Sequence, residues 1–342
     1  MIARETPRSG LKLTIRIEKF MLRKPFQITG HTWVDTDVIT VELEKYGYIG
    51  RGEASGVYYR KFDDVASNIK QINAVRPRIE VGLDRETLQR LLPIGGARNA
   101  VDCALWDLEA KLSGRAAWQI AGLNRPQPLL TTFTVGANHP DQMAADARAH
   151  THAKAIKLKL TGQRVDADRV RAVRSALPDV WLGVDANQGF TRAFLEALMP
   201  VLVEARVELI EQPFKICEDA QLDGLNSPIP LAADESVQGL ADIQGLVGRF
   251  NVVNIKLDKC GGLTEALAMA REARRLGLSV MVGNMIGTSL AMAPSFLVGQ
   301  LGNVVDLDGP SFLRDDRLTP VHYENGMISC PAALWGSPVG SR

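Results

Sequence analysis

Apolar and polar residues alternate strictly through residues 11–19 (LKLTIRIEK) and again through 38–43, and a turn at Tyr46-Gly47-Tyr48 leads into 49–54. A period of two marks a strand with one wet face, so the three runs predict an antiparallel meander. Between the first two, residues 21–37 are rich in Pro, Gly and Thr and read as a loop. The spacing then turns helical through 62–92. Residues 98–112 (RNAVDCALWDLEAKL) predict an amphipathic helix with Val101, Leu105, Leu108 and Leu112 on its apolar side and Gly114 ending it. Strands followed by helices is an α+β order.

After Pro126 and Pro128 the rhythm changes. Short apolar runs begin near Leu130, Ala155, Val180, Val207, Pro230, Val252, Ser279 and Asn303, 22 to 27 residues apart, with helical stretches such as 141–149, 165–176, 192–204 and 264–276 between them. Eight βα repeats of this period predict a parallel sheet closed into a barrel. An open doubly wound sheet competes, but the first strand-to-helix turn, Gly136-Ala137-Asn138, lacks the glycine fingerprint of a dinucleotide fold. The expected class is therefore α/β, a TIM-like barrel behind an N-terminal α+β domain. Boundaries fall at 1–128 for that domain and 129–310 for the barrel. Residues 311–342, with a turn at Glu324-Asn325-Gly326, return to the first domain.

Charge removes some partners. Across 342 residues, 40 basic side chains face 39 acidic ones with no basic block, so neither nucleic acid nor an anionic membrane is expected to bind. Cys103, Cys217, Cys260 and Cys330 form no C-x-x-C pair, which suggests neither a zinc site nor a disulfide framework and fits a reducing cytoplasm. Residues 1–12 lack an apolar core, so no secretory signal is expected. The most apolar stretch, 280–298, is broken by Gly283, Asn284, Gly287 and Pro294 and reads as a buried strand and helix rather than a membrane span.

Side chains at the carboxyl ends of barrel strands converge on one mouth. In AIKLKL, alternation puts Lys157 and Lys159 on one face of the second barrel strand. The third, fourth and fifth strands end in Asp185 (VDAN), Glu211 (IEQP) and Asp234 (ADES), and the sixth in Lys256 (NIKLDKCGG). Three carboxylates from adjacent strands suit a hard divalent cation, Mg²⁺ foremost. The second and sixth strands face each other across the mouth. Lys159 and Lys256 would therefore flank a carbon acid held by the metal through its carboxylate, one removing a proton from Cα and the other returning one, with an enediolate between. A free lysine titrates near ~10.4 and a useful base near ~7 to 8, a gap of roughly 4 kcal/mol. A like charge at Lys157, the nearby dication and partial burial are together expected to supply it, with Lys157 as the tuning and electrostatic group.

In their order and spacing, KLK, VDAN, IEQP, ADES and NIKLDKCGG resemble the enolase superfamily and, within it, the muconate-lactonizing-enzyme subgroup. The resemblance spans most of the chain. It implies a capping domain on a modified (β/α)7β barrel, one Mg²⁺ per subunit on Asp185, Glu211 and Asp234, and Lys159 and Lys256 as acid/base residues. The subgroup includes cycloisomerases, o-succinylbenzoate synthases, N-acylamino acid racemases and dipeptide epimerases. Asp306-Leu307-Asp308 on the eighth strand separates them, because a D-x-D there in dipeptide epimerases binds the substrate's free α-ammonium. The expected activity is thus epimerisation of a dipeptide at its C-terminal residue, first L-Ala-D/L-Glu from murein peptides, by a homo-oligomer. N-acylamino acid racemase is the alternative, o-succinylbenzoate synthase or cycloisomerase a further one, and a non-catalytic peptide-binding barrel a distant one. Thr134 and His31 are further substrate-contact candidates. The subgroup's loop arginine after Pro25-Phe26 is missing here and His31 lies near its place, which leaves Arg23, Lys24 or Arg60 to meet a glutamate side chain and keeps a hydrophobic or other dipeptide open as the substrate.

Overall fold

A computed structural model describes residues 10–340, so most of the segment considered for a secretory signal lies outside it. Strands β1 (Lys12–Ile28), β2 (His31–Lys45) and β3 (Tyr48–Ala54) form an antiparallel sheet in that order. The expected loop at 21–37 is instead the outer half of a long hairpin. β1 and β2 pair from Lys12↔Glu44 out to Ile28↔His31, with a register break between Met21 and Phe26. The inner half alternates visibly because one face buries Leu13, Ile39, Val41 and Leu43. The outer half leaves that core and reaches over the barrel, so no continuous apolar face announces it.

Helices α1 (Val65–Val81) and α2 (Arg85–Leu91) start where the Asp64 and Asp84 carboxylates accept from Ser67 N and Thr87 N. α3 (Gly96–Ser113) ends at Gly114, whose φ of 68° is left-handed. It is not the half-wet helix its pattern predicts, being buried on every side from Gly96 to Leu108. Against β3 the approach is so close that a Cβ on Gly50 or Gly52 would lie 2.2 or 2.1 Å from a carbonyl oxygen of α3. The polar residues that looked solvated are buried and paired: Asp102 accepts from Thr264 N and Oγ1, Asn99 donates to Glu53 O, and Arg98 to Gly261 O.

Helix α4 (Ala117–Ile120) and β4 (Leu129–Leu130) lead into the barrel. Its strands are β5 (Phe133–Val135), β6 (Ala155–Lys159), β7 (Trp181–Asp185), β8 (Leu209–Glu211), β9 (Leu231–Ala233), β10 (Val252–Ile255), β11 (Ser279–Val282) and β12 (Val304–Val305), parallel and in sequence order. Thr132 N donates to Val305 O at 2.9 Å, drawing the last strand to the first. The helices around it are α5 (Pro140–Ala149), α6 (Asp166–Ala176), α7 (Arg192–Glu204), α8 (Leu257–Cys260), α9 (Leu263–Arg275) and α10 (Ser289–Gly299), with only 3-10 segments, Asp219–Leu222 and Leu240–Leu246, after β8 and β9. Among the described residues no helix is long and apolar enough to cross a membrane. The four cysteines are free.

Alternation sorts each strand into two layers. Ile156, Leu158, Leu182, Val184, Ile210, Val253 and Ile255 point outward into the main core. Inward, Leu209, Ala232, Val252 and Met281 pack with Trp181 and Val304. Two or four residues further along the same inner faces come Glu211, Asp234, Lys256, Asp185 and Asp306. After β12, β13 (His322–Glu324) and β14 (Met327–Ser329) turn through Asn325 and Gly326, both at positive φ, and pair with β4. Beyond them Trp335 Nε1 donates to Arg51 O at 2.8 Å, so the final segment touches both the barrel and the first domain.

Candidate active site

Around the mouth, neighbouring strands present Lys159, Asp185, Glu211, Asp234 and Lys256 in turn. One oxygen from each of the three carboxylates lies within 4.8 Å of the others, and all three residues are buried. Lys159 Nζ is 2.5 Å from Asp185 Oδ2, and Lys256 Nζ is 2.7 Å from Asp234 Oδ2. A lysine therefore stands at each end of the carboxylate arc. Lys157 Nζ lies 3.0 Å from Glu211 Oε2 and also donates to Asp306 Oδ2. The end of β11 stays clear because a Cβ on Gly283 would lie 2.9 Å from Lys256 Cε.

Several neighbours escaped the sequence reading. Lys259 Nζ lies 2.6 Å from Asp234 Oδ1, and Asn254 Nδ2 donates to Glu211 Oε1 at 2.7 Å. Asn254 is two residues before Lys256, so alternation alone would have put it on the same face; Lys259 returns to that side only through the single turn of α8. Glu235, next to Asp234, is buried with Oε2 unpaired, as is Asn187 Oδ1.

The charges do not balance as the sequence suggests. Burial alone would lower the Lys256 ammonium, but Asp234 and Glu211 overcome it and hold it well above the usual lysine range. Lys157 is likewise lowered by burial and raised further by Asp306, Glu211 and Asp185. The protein's carboxylates thus oppose the lowered base expected from a like-charged neighbour, since Lys157 has its own anions. Burial, then Asp185, pushes Glu211 up to about 7; burial, then Asp234, pushes Glu235 up to about 8. For Asp234 burial is outweighed by Lys256 and Lys259, which hold it well below the usual carboxylate range.

The D-x-D pair is unequal. Asp306 is engaged by Lys157 and by Thr132 Oγ1. Asp308 Oδ2 accepts from Thr134 N at 2.6 Å, which makes Thr134 a partner of Asp308. His31, at the hairpin tip, packs its ring 4.1 Å from Trp33 and 5.2 Å from Tyr58, centroid to centroid. Phe26 meets Phe312 of the barrel at 4.5 Å. A cavity of about 590 Å³ lies beneath the hairpin, lined by Arg23, Phe26, Thr134, Gly136, His150 and Phe312. Of the cations considered there, Arg60 is committed to Gln238, Asp63 and Lys259 O, and Lys24 pairs with Asp146 at 2.6 Å. Arg23 has no ion-pair partner among the described residues.

Three buried carboxylates this close, beside two unpaired buried oxygens, form a donor set for a hard divalent cation. Residues 142–334 match the family described as enolase C-terminal domain-like, and residues 11–122 the mandelate racemase/muconate lactonizing enzyme N-terminal domain. The chain belongs to this enolase superfamily group. The superfamily's capping domain is the β1–β3 sheet with α1–α3, and its C-terminal domain is the eight-stranded barrel. Within the superfamily the chain is 40% identical to the L-Ala-D/L-Glu epimerase of Escherichia coli strain K12, over 91% of this chain and 97% of that protein. It is 38% identical to an N-acetyl-D-glutamate racemase of a Pseudoalteromonas species, over 89% and 96%. An Agrobacterium tumefaciens enolase family member with homology to dipeptide epimerases, solved with sodium and L-Ala-L-Glu, superposes with TM-score 0.91 at 41% identity, covering 95% of this chain and all of that one. A dipeptide epimerase of Enterococcus faecalis, solved with Mg and L-Leu-L-Tyr, gives 0.88 at 26% identity, covering 97% and 99%. This superfamily member is an isomerase of the dipeptide epimerase kind.

Proposed function

We propose that the chain is a Mg²⁺-dependent dipeptide epimerase that inverts the α-carbon of the C-terminal residue, with L-Ala-L-Glu as its first substrate. The observation that carries this is the arc itself: a buried lysine at either end of three converging carboxylates, Lys159 on Asp185 and Lys256 on Asp234. Asp185, Glu211 and Asp234 would hold the cation, which when bound neutralises charge developing on the substrate carboxylate. Lys159 and Lys256 then address opposite faces of Cα, one taking the proton and the other supplying its replacement. Lys157, fixed between Glu211 and Asp306, keeps positive charge beneath the site. The hairpin tip and its aromatic rings limit water above it. Arg23 is the unpaired cation available to a glutamate side chain.

In D₂O, L-Ala-L-Glu should acquire solvent deuterium at the glutamate α-carbon as it epimerises. Lys159→Ala and Lys256→Ala should each abolish epimerisation. Inversion that keeps the original protium would refute the two-lysine route, and no turnover of any L-Ala-L-X dipeptide would refute the activity. N-acylamino acid racemisation is the second reading, favoured by the resemblance to the Pseudoalteromonas enzyme. It predicts faster turnover of N-acylated glutamate than of the dipeptide.

A further inference from the structure

Glu211 is followed by a residue with an unusual backbone. Gln212 is wholly buried and stands at φ 36°, in the left-handed region that favours glycine, and immediately before Pro213, where extended backbone is the rule. Along a regular parallel strand, successive carbonyls point to opposite neighbours. Here both point the same way: Glu211 O accepts from Ala186 N at 3.1 Å and Gln212 O from Gln188 N at 2.9 Å, just beyond the end of β7. The segment after β9 thereby loses the backbone acceptor it would have met. The Gln212 side chain replaces it. Its Oε1 accepts from Asp234 N at 2.9 Å and Ser236 N at 3.0 Å, while its Nε2 donates to Phe214 O at 2.9 Å and Ser236 Oγ at 2.8 Å.

We propose that Gln212 is a positioning residue for the cation site: its side-chain amide, aimed by a strained backbone, sets the place of Asp234 relative to Glu211. The inference rests on the metal-dependent reading above. Asp234 is drawn toward β10 and α8 by Lys256 Nζ at 2.7 Å and Lys259 Nζ at 2.6 Å. Gln212 is a tie on the opposite side, from the strand that carries Glu211. Since its carbonyl also holds Gln188 N, one residue spans the ends of all three strands that supply the carboxylates. Backbone strain of this kind persists only where the surroundings hold it, and it gathers at functional sites. A methionine here would fill the space without an acceptor. Asp234 N and Ser236 N would then lose their partner, and the Asp234 carboxylate would follow its lysines away from Glu211.

The test is Mn²⁺ binding to the full chain without substrate, followed by the electron paramagnetic resonance signal of the free ion. Gln212→Met should raise Kd roughly 10- to 100-fold, the range for removing a group that orients a metal ligand. Gln212→Gly takes the left-handed backbone freely and also lacks the amide, so it should show a rise of the same order and stands in where the methionine variant does not fold. The control is Arg317→Ala, which loosens the domain joint, its hydrogen bonds going to Glu18, Thr40, Thr288 and Glu53. As a change that is structural only, it should leave Kd within about twofold of wild type. A Kd within about twofold of wild type in either folded Gln212 variant, or an equal rise in Arg317→Ala, overturns the assignment and leaves the epimerase reading intact. Loss of the fold in both Gln212 variants would assign the residue to stability and overturn it as well. Wild type that binds no Mn²⁺ sinks the metal-dependent reading and the assignment with it.

Discussion

Thr29, at the tip of the hairpin, offers a direct test of how the capping domain reaches the chemistry. Its hydroxyl lies 3.0 Å from Leu160 O and 3.3 Å from Ala186 O, the carbonyls immediately after Lys159 and Asp185. Other ties of the hairpin, among them Ala137 N to Gln27 O, Arg314 N to Met21 O and the Phe26–Phe312 contact, are made elsewhere, toward β5 and the segment after β12. Thr29→Val keeps the shape and removes the donor. Ala186 O retains Gly189 N at 2.8 Å, but Leu160 O is left without a partner among the described residues. An unpaired buried carbonyl costs ~1–3 kcal/mol, part of which is recovered if the tip lifts and water enters. A net shift of about 1–2 kcal/mol toward the lifted hairpin changes the closed-to-open ratio roughly 5- to 30-fold. Steady-state kinetics on L-Ala-L-Glu should show this as a rise in KM of that order, with the melting temperature nearly unchanged and Thr29→Ser restoring most of the loss. A KM within about twofold of wild type in Thr29→Val, or no recovery in Thr29→Ser, would refute the latch.

Two further changes probe the joint between the domains. Arg317 contacts Glu18 at 2.7 Å, Thr288 Oγ1 at 2.8 Å and the fully buried Glu53 at 2.6 Å, so Arg317→Ala leaves a buried carboxylate without its cation. Urea unfolding should report a loss of ~3–5 kcal/mol, and a loss under about 1 kcal/mol would contradict this account. Asp258 accepts from Ser55 N at 3.1 Å and Gly56 N at 3.3 Å, and burial, then Asp63, pushes its carboxyl from 3.8 up to about 7. The folded protein keeps a proton that the unfolded chain releases near pH 4, so stability from this group falls as pH rises from about 4 to 7, by roughly 4 kcal/mol in all. Asp258→Asn retains the acceptor oxygen and cannot ionise. Its stability relative to wild type should climb through that window and level off above it, and a difference independent of pH would show that Asp258 does not titrate there.

Local alternation carried most of what could be read from the chain. It separated Lys157 and Lys159 from Ile156 and Leu158, and it put Asp185, Glu211, Asp234 and Lys256 at strand ends, because the side-chain period is a property of the backbone alone. It was silent where burial is two-sided or absent. The outer hairpin has no continuous apolar face, and α3 hides Asn99 against β3 and Asp102 in a contact that exists only once the capping domain meets the barrel. It could not say which charge answers which. Lys157 and Asp306 are 149 residues apart, and their pairing depends on β12 being drawn around to β5.

That long-range pairing changes the chemical argument as well. Two lysines side by side on a strand suggest mutual lowering of their proton affinity. Once the barrel is rolled, each has carboxylates in ion-pair contact: Lys157 has Asp306 and Glu211, and Lys159 has Asp185. If Lys159 and Lys256 are the bases, as proposed above, what frees them is a competitor for those carboxylates as well as a neighbouring ammonium. Asp185 and Asp234 belong at once to the cation-binding trio and to the lysine pairs, so any positive charge that claims the trio weakens the grip on Lys159 and Lys256 together. Under the function proposed above, metal binding and base activation would then share the same two carboxylates, Asp185 and Asp234.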